Sequence, residues 1–285
     1  MTFPSPTLLG QSLLSGVFIG ALYGLLGLGL SLSWGMLRQI NLAHFALAFL
    51  GAYLTYQFAE VYKIDPLLSI LIIAPAFFLL GALLQALFAR FSISPFSSLL
   101  VTFGLTVIIE SAIQWYWTAD YRLLESAYRG IRFKLGPLYI PFPELLTVVL
   151  AVALASLVWS ALRYTDLGKA MRAASEDAPI AAAFGVNERA LALLLSGLCA
   201  ATAGVAGLCL ALSYTLAPSQ IYAWIGVVFA AVMIGGLGNP LGTLIAGIVI
   251  GVSESLTMAL TAPAWAPLVS FSLLIIVLLV RARDL

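Results

Sequence analysis

Long apolar runs, each close to the length of a bilayer-crossing helix, alternate along the chain with short clusters of charge, proline and glycine. Nine such runs stand out, at roughly 10–34, 42–60, 66–89, 97–118, 143–162, 190–213, 221–237, 240–260 and 264–280. The breaks fall at Arg38 to Asn41, Lys63 to Pro66, Arg90 to Pro95, Asp120 to Pro143, Ser213 to Ser219, Gly235 to Pro240 and Thr261 to Pro263. A further, longer break runs from Arg163 to Arg189. None of the runs alternates with period two, so a membrane barrel is excluded. In lipid every backbone N–H and C=O must be paired internally, which leaves helices. The pattern predicts an all-α, polytopic integral membrane protein of about nine spanning or partly re-entrant helices.

Composition agrees. Of the 285 residues 62% are hydrophobic and 9% charged, against roughly 25% charged in a soluble domain. A net charge of +1 gives no basic face for nucleic acid. The chain has no HExxH, GxSxG or Walker-type glycine loop, so neither membrane-embedded catalysis nor a metal site is predicted. If ATP drives this protein, the ATPase lies on another chain. Cys199 and Cys209 sit in one apolar run, about 15 Å apart along a helix axis, and cannot pair within it. The opening "MTFPSPTLLGQSLLSG" carries no Lys or Arg, so no cleavable signal is predicted and the first helix is retained.

An odd number of spans puts the two termini on opposite sides. With Arg281 and Arg283 in the cytoplasm, Arg38, Arg90, Arg163, Lys169, Arg172 and Arg189 join them, while Lys63, Arg122, Arg129, Arg132 and Lys134 face outward. The excess of basic residues inside predicts an N-out, C-in arrangement.

Two stretches are glycine-rich: Gly20 to Tyr53, which contains Gly20 and Gly24, and Val232 to Gly251, which contains Gly235 and Gly236. Such spacing lets helices pack closely, and it also marks broken helices on transport paths. Ionisable side chains inside apolar runs either lock helices together or face an aqueous path. They are His44 beside Asn41, Glu110 in the fourth run and Glu254 in the eighth.

The segment Arg163 to Ala190, "RYTDLGKAMRAASEDAPIAAAFGVNERA", holds eight of the 25 charged residues. Thr165 or Asp166 offers an N-cap, and Lys169, Arg172 and Glu176 fall at i, i+3 and i+7 on one helical face. Asp177 caps a second short helix with Pro179 in its first turn, and Gly185 ends it in a left-handed conformation. A connector needs about 2–8 residues. The extra length predicts a helix–kink–helix that docks a soluble partner, a plain solvated loop being the alternative.

"LGKAMRAASEDAPIAAAFGVN" resembles the cytoplasmic loop of permease subunits from branched-chain amino-acid ABC importers. Gly168, Ala170, Arg172, Ala173, Asp177, Ala181, Gly185, Val186 and Asn187 match that pattern in register. "GLGLSLSWGMLRQINLAHFALAFLGAY", "LLVTFGLTVIIES" and "GGLGNPLGTLIAGIVIGVSES" are similar, in order, to three further family stretches. Phe45 stands where the family commonly has Gly after the histidine, and Glu110 where it has Gln.

The resemblance implies one permease domain over 1–285, with 163–189 as a coupling segment lodged in a cytoplasmic ATPase. It implies a second permease subunit, homologous or identical, two ATPase subunits carrying ATP and magnesium, and an external solute-binding protein. It also implies a multi-pass place in a bacterial cytoplasmic (inner) membrane and transport by alternating access. On this reading Gly168, Lys169, Arg172, Glu176, Asp177 and Gly185 serve coupling, and Asn41, His44, Thr102, Thr106 and Glu110 border the translocation path. Gly20, Gly24, Gly235, Gly236 and Glu254 then serve helix packing. Three alternatives stay open at this point: the same machinery carrying urea, short amides or another small polar solute; an ion- or proton-coupled carrier relaying through Glu110, Glu254 and His44; and a membrane assembly subunit.

Overall fold

The structure is a computed structural model and describes residues 5–91 and 94–281. Arg283, counted above among the cytoplasmic charges, lies outside the described residues. Each expected apolar run forms a helix: α1 (Pro6–Leu37), α2 (Ala43–Glu60), α3 (Ile70–Arg90), α4 (Pro95–Trp117) and α5 (Phe142–Tyr164) come first. Two short helices, α6 (Asp166–Glu176) and α7 (Ala178–Ala183), separate these from α8 (Glu188–Ser213), α9 (Ile221–Gly235), α10 (Pro240–Leu260) and α11 (Ala266–Arg281). Seven of the described helices are long and apolar enough to cross a membrane. α2 and α11 are outside that set.

Close backbone approach holds the centre together. A lipid-solvated bundle cannot rely on expelling water between helices, so packing depends on small residues that let backbones meet. α1 lies antiparallel to α10 along such a seam. A Cβ on Gly20 would sit 2.5 Å from the Cα of Ile248, and one on Gly251 2.5 Å from the carbonyl oxygen of Gly16. α8 is clasped on two sides, by α2 where Gly51 meets Gly204 and by α3 where the Ser196 hydroxyl donates to the Gly81 carbonyl at 3.0 Å. Large apolar side chains on the outer ring, such as Leu79 and Leu157, stand exposed as a lipid-facing surface requires.

The bundle has two distinct ends. At one, the 118–142 connection carries an element that the helical pattern did not predict: an antiparallel hairpin of β1 (Arg132–Leu135) and β2 (Leu138–Pro141). Gly136, at φ +60°, makes its two-residue turn with Pro137. The hairpin is docked by Gln11, whose carboxamide donates to the Tyr139 carbonyl and accepts from its N–H, both at 3.0 Å. At the other end, α1 finishes against the turn between α9 and α10, where a Cβ on Gly35 would lie 2.2 Å from the Gly238 nitrogen. Gly236 and Gly238 take left-handed φ values of +91° and +74°, which allow the turn to be this tight. The α6–α7 segment sits at that same end.

Candidate functional site

The α6–α7 segment is built by local capping. Thr165 closes the end of α5 by donating to the Ala161 carbonyl at 2.6 Å, and opens α6 by accepting from the Gly168 N–H at 3.1 Å. Gly168 folds α6 back onto α5, with space for no side chain: a Cβ there would lie 2.3 Å from the Ala161 oxygen. Asp177 caps α7 through the Ile180 N–H at 3.1 Å, and Asn187 caps α8 through that of Ala190 at 3.0 Å. Between them Gly185, at φ +86°, reverses the chain while the Val186 N–H reaches back to the Ala181 carbonyl. Gly168, Asp177 and Gly185 thus set the path of the segment.

The charged residues of the segment point out. Lys169 pairs with Asp166 at 2.9 Å on the open surface, which holds the exposed Asp166 carboxyl below its usual range. Arg172 and Glu176 are exposed, Arg172 beside Trp159, Arg163 and Asn239 in a shallow cleft. Met171 and Ala181 turn inward and anchor the segment to the bundle. Arg38, at the end of α1, donates to the Ser175 carbonyl at 2.9 Å, where a cation complements the C-terminal pole of α6. The segment is therefore tied to both α1 and α5. The structure adds three residues that charge patterning passes over: Leu167, Ile180 and Phe184, with Phe184 86% exposed. Apolar residues there carry no signal in a chain this hydrophobic; their exposure on a polar segment becomes visible only once it is folded.

Asn41, His44, Thr102 and Thr106 come together around an irregular stretch inside the bundle. After α1 ends at Arg38, which takes a left-handed conformation, residues 38–42 run back along it without helical structure, so that His44 Nε2 meets the Leu26 carbonyl at 2.9 Å. From Leu26 to Leu37 the helix rises about 16 Å, so α2 starts deep in the membrane rather than at its edge. Non-helical backbone at that depth must be covered by protein or line a cavity. Here Thr102 of α4 covers it, accepting from the Leu42 N–H at 3.1 Å and lying 3.2 Å from the Ile40 carbonyl. Thr106 donates to the Thr102 carbonyl at 2.8 Å, and His44 is buried. His44 Nε2 and the hydroxyls of Thr102 and Thr106 are thus engaged with backbone. Asn41 differs, because its buried Oδ1 has no partner among the described residues.

Glu110 stands apart from that cluster. It lies further along α4, half-buried, accepting from the Tyr222 hydroxyl of α9 at 2.6 Å and from Gln114 at 3.2 Å. Ser111 and Gln114 beside it are exposed, forming a polar strip on an otherwise apolar face. Glu254 is instead enclosed: it accepts from the Tyr23 hydroxyl at 2.8 Å and from Ser270, joining α1, α10 and α11. Gly235 packs on Gly242 and Thr243 across the α9–α10 turn, and Gly24 packs on Leu244.

Comparison with known proteins accords with this architecture. Residues 12–278 match the family described as "Branched-chain amino acid transport system / permease component". The LivH permease protein of the high-affinity branched-chain amino acid transport system of Salmonella typhimurium is 28% identical over 289 residues, covering 95% of this chain and 92% of its own. Its Escherichia coli counterpart is 28% identical with the same coverage. The BraD permease protein of Pseudomonas aeruginosa, also named for a high-affinity branched-chain amino acid transport system, is 24% identical over 287 residues, 95% of this chain and 93% of its own. No solved structure matches the chain. With the match running through almost every helix, this chain is a membrane-embedded transport permease and belongs to the branched-chain amino acid transport system permease component family.

Proposed function

We propose that this chain is the membrane-spanning subunit of an ATP-driven importer for branched-chain or related amino acids. It works beside a second permease subunit, two cytoplasmic ATPases that carry ATP and magnesium, and an external solute-binding protein. The reading rests chiefly on the exposed apolar pair Ile180 and Phe184 on a segment capped and tied to α1 and α5. Large exposed apolar side chains on a capped, otherwise charged segment suit a protein partner better than water. Gly168, Lys169, Arg172, Glu176, Asp177 and Gly185 serve this contact, three of them by shaping the segment and Lys169, Arg172 and Glu176 by offering charge around the apolar pair. Movement of the bound ATPase reaches the membrane through Arg38 at the end of α1 and through Gly168 on α5. The glycine seam makes α1 and α10 move as one body.

The translocation path runs along the open face of α4 and α9. Glu110, with Tyr222 and Gln114, faces that side, where a carboxylate against lipid would cost several kcal/mol. A second permease subunit set against the face encloses a polar strip able to receive a zwitterion's ammonium. Asn41, His44, Thr102 and Thr106 border the same path from within, shaping the buried backbone at its base.

Reconstitution into proteoliposomes with the partner subunits tests the reading. Leucine uptake requires ATP and the binding protein, and persists when a proton ionophore is added with ATP maintained. Collapse of uptake under the ionophore would favour a proton-coupled carrier. Uptake of urea or short amides in place of leucine would retain the machinery and change the cargo.

A further inference from the structure

Gln85 of α3 is only 7% exposed, and among the described residues its carboxamide makes no hydrogen bond. Its amide atoms are not among the fully enclosed ones, so on an otherwise buried side chain they open into a cleft, free to bind what enters it. Gln85 lies on the wall shared by two adjoining clefts, of 480 and 810 Å³, at the end of the bundle that carries α6 and α7. Both volumes fall within the range of small-molecule sites. Glu188 at the start of α8 also lines both clefts, and the larger one adds Arg90 and Arg189. Among the described residues none of these three charges has an ion-pair or hydrogen-bond partner. The same cleft continues along Leu83 and Leu87, which are exposed on the lipid-facing side of α3.

We propose that this cleft binds the headgroup of a phospholipid bearing a primary ammonium, such as phosphatidylethanolamine. Two exposed arginines and one carboxylate beside a cleft-facing amide suit a ligand with an anionic oxygen cluster and a cation close together. The phosphate meets Arg90 and Arg189, which bind such oxygens by charge-assisted hydrogen bonds. The ammonium meets Glu188 and the Gln85 carbonyl, both of which need N–H donors that a quaternary ammonium lacks. The acyl chains lie along Leu83 and Leu87. A purely anionic headgroup would leave Glu188 facing phosphate without compensation. A free amino-acid zwitterion shares the charged chemistry, but its short body would not follow Leu83 and Leu87 into the bilayer.

The test needs only the folded full-length chain, with any subunits that co-purify, so it stands or falls separately from the transport reading. The protein is extracted from membranes of equal phosphatidylethanolamine and phosphatidylcholine, and retained lipid is measured by native mass spectrometry. The expected result is at least fivefold preference for phosphatidylethanolamine, unchanged by excess leucine. Gln85→Leu, which keeps side-chain size, brings the ratio close to one, and Arg90→Ala, at an exposed position, lowers total retained phospholipid severalfold. Equal retention of the two lipids by the wild type would overturn the proposal without recourse to any variant. Displacement by leucine would do so as well, assigning the cleft to a free zwitterion, and so would an unchanged ratio in a Gln85→Leu protein that elutes and melts as the wild type does.

Discussion

The seam between α1 and α10 and the α6–α7 segment are both shaped by glycine, and although Gly168 packs on α5 as the seam glycines pack on each other, Gly185 serves the opposite end. At the seam, Gly16, Gly20 and Gly251 are small because another backbone occupies the space where a Cβ would stand. In the segment, a Cβ on Gly185 would meet nothing within 4 Å; that residue is glycine because of its φ of +86°. The first kind of glycine creates an interface within the chain. The second bends the chain so that Ile180 and Phe184 remain uncovered. One region is built to stay closed in lipid, the other to stay open at the end of the bundle.

The largest effect should come from filling the seam. Gly20→Val forces α1 from α10 at a cost of about 3 kcal/mol or more, since backbone rather than a flexible side chain is in the way. The expected outcome is loss of folded protein, read by size-exclusion and thermal melting. Glu254→Ala comes next, leaving the Tyr23 and Ser270 hydroxyls without their acceptor in a buried site. It should cost about 2 kcal/mol of stability, whereas Glu254→Gln, which keeps an acceptor, should cost less on the same melting assay.

Phe184→Ala should divide the two regions most sharply. Melting should match the wild type, because the ring touches no core, while coupled uptake falls by about 2 kcal/mol, the loss expected for a central aromatic in an interface. That corresponds to roughly thirtyfold in rate or affinity. The smallest effect belongs to the opposite end of the molecule. Tyr128→Phe removes a hydroxyl that donates to Asp65 at 2.6 Å and should cost about 0.5 kcal/mol. That hydrogen bond to Asp65 raises the Tyr128 pKa above its ordinary value, so its contribution is full below pH about 10 and fades as pH climbs through the raised value. Wild type and Tyr128→Phe should therefore converge in melting temperature at strongly alkaline pH.

How far these features could be read beforehand follows from their physics. The apolar runs located every long helix, most ends falling within two or three residues, because a bilayer demands both length and apolarity. Thr165, Asp177 and Gly185 announced the α6–α7 turns, since capping and left-handed turns are local chemistry. Long-range contacts were illegible. The run at 42–60 marks α2 but says nothing of its starting depth, which depends on Thr102 and Leu26 meeting residues far away in the sequence. His44 and Glu254 read alike as ionisable groups in apolar surroundings, yet one holds a backbone carbonyl and the other ties three helices. The hairpin at 132–141 was hidden because strands of four residues on either side of Gly136 and Pro137 are too short to show a period of two. Phe184 and Gln85 were missed for a shared reason: exposure in the one case and an unmet amide in the other are properties of the folded chain.

The central claim, that the α6–α7 segment is the contact with the ATPase, is tested most directly by cross-linking at its tip. Cys199 and Cys209 are both buried in α8, so a single exposed thiol can be introduced over a quiet background. Phe184→Cys, assembled with the ATPases and treated with a short thiol–amine reagent, should give a permease–ATPase adduct. Lys63→Cys, at the opposite end of the bundle, should give none. Equal adducts at both positions, or none at Phe184→Cys in a complex that still transports, would contradict the account.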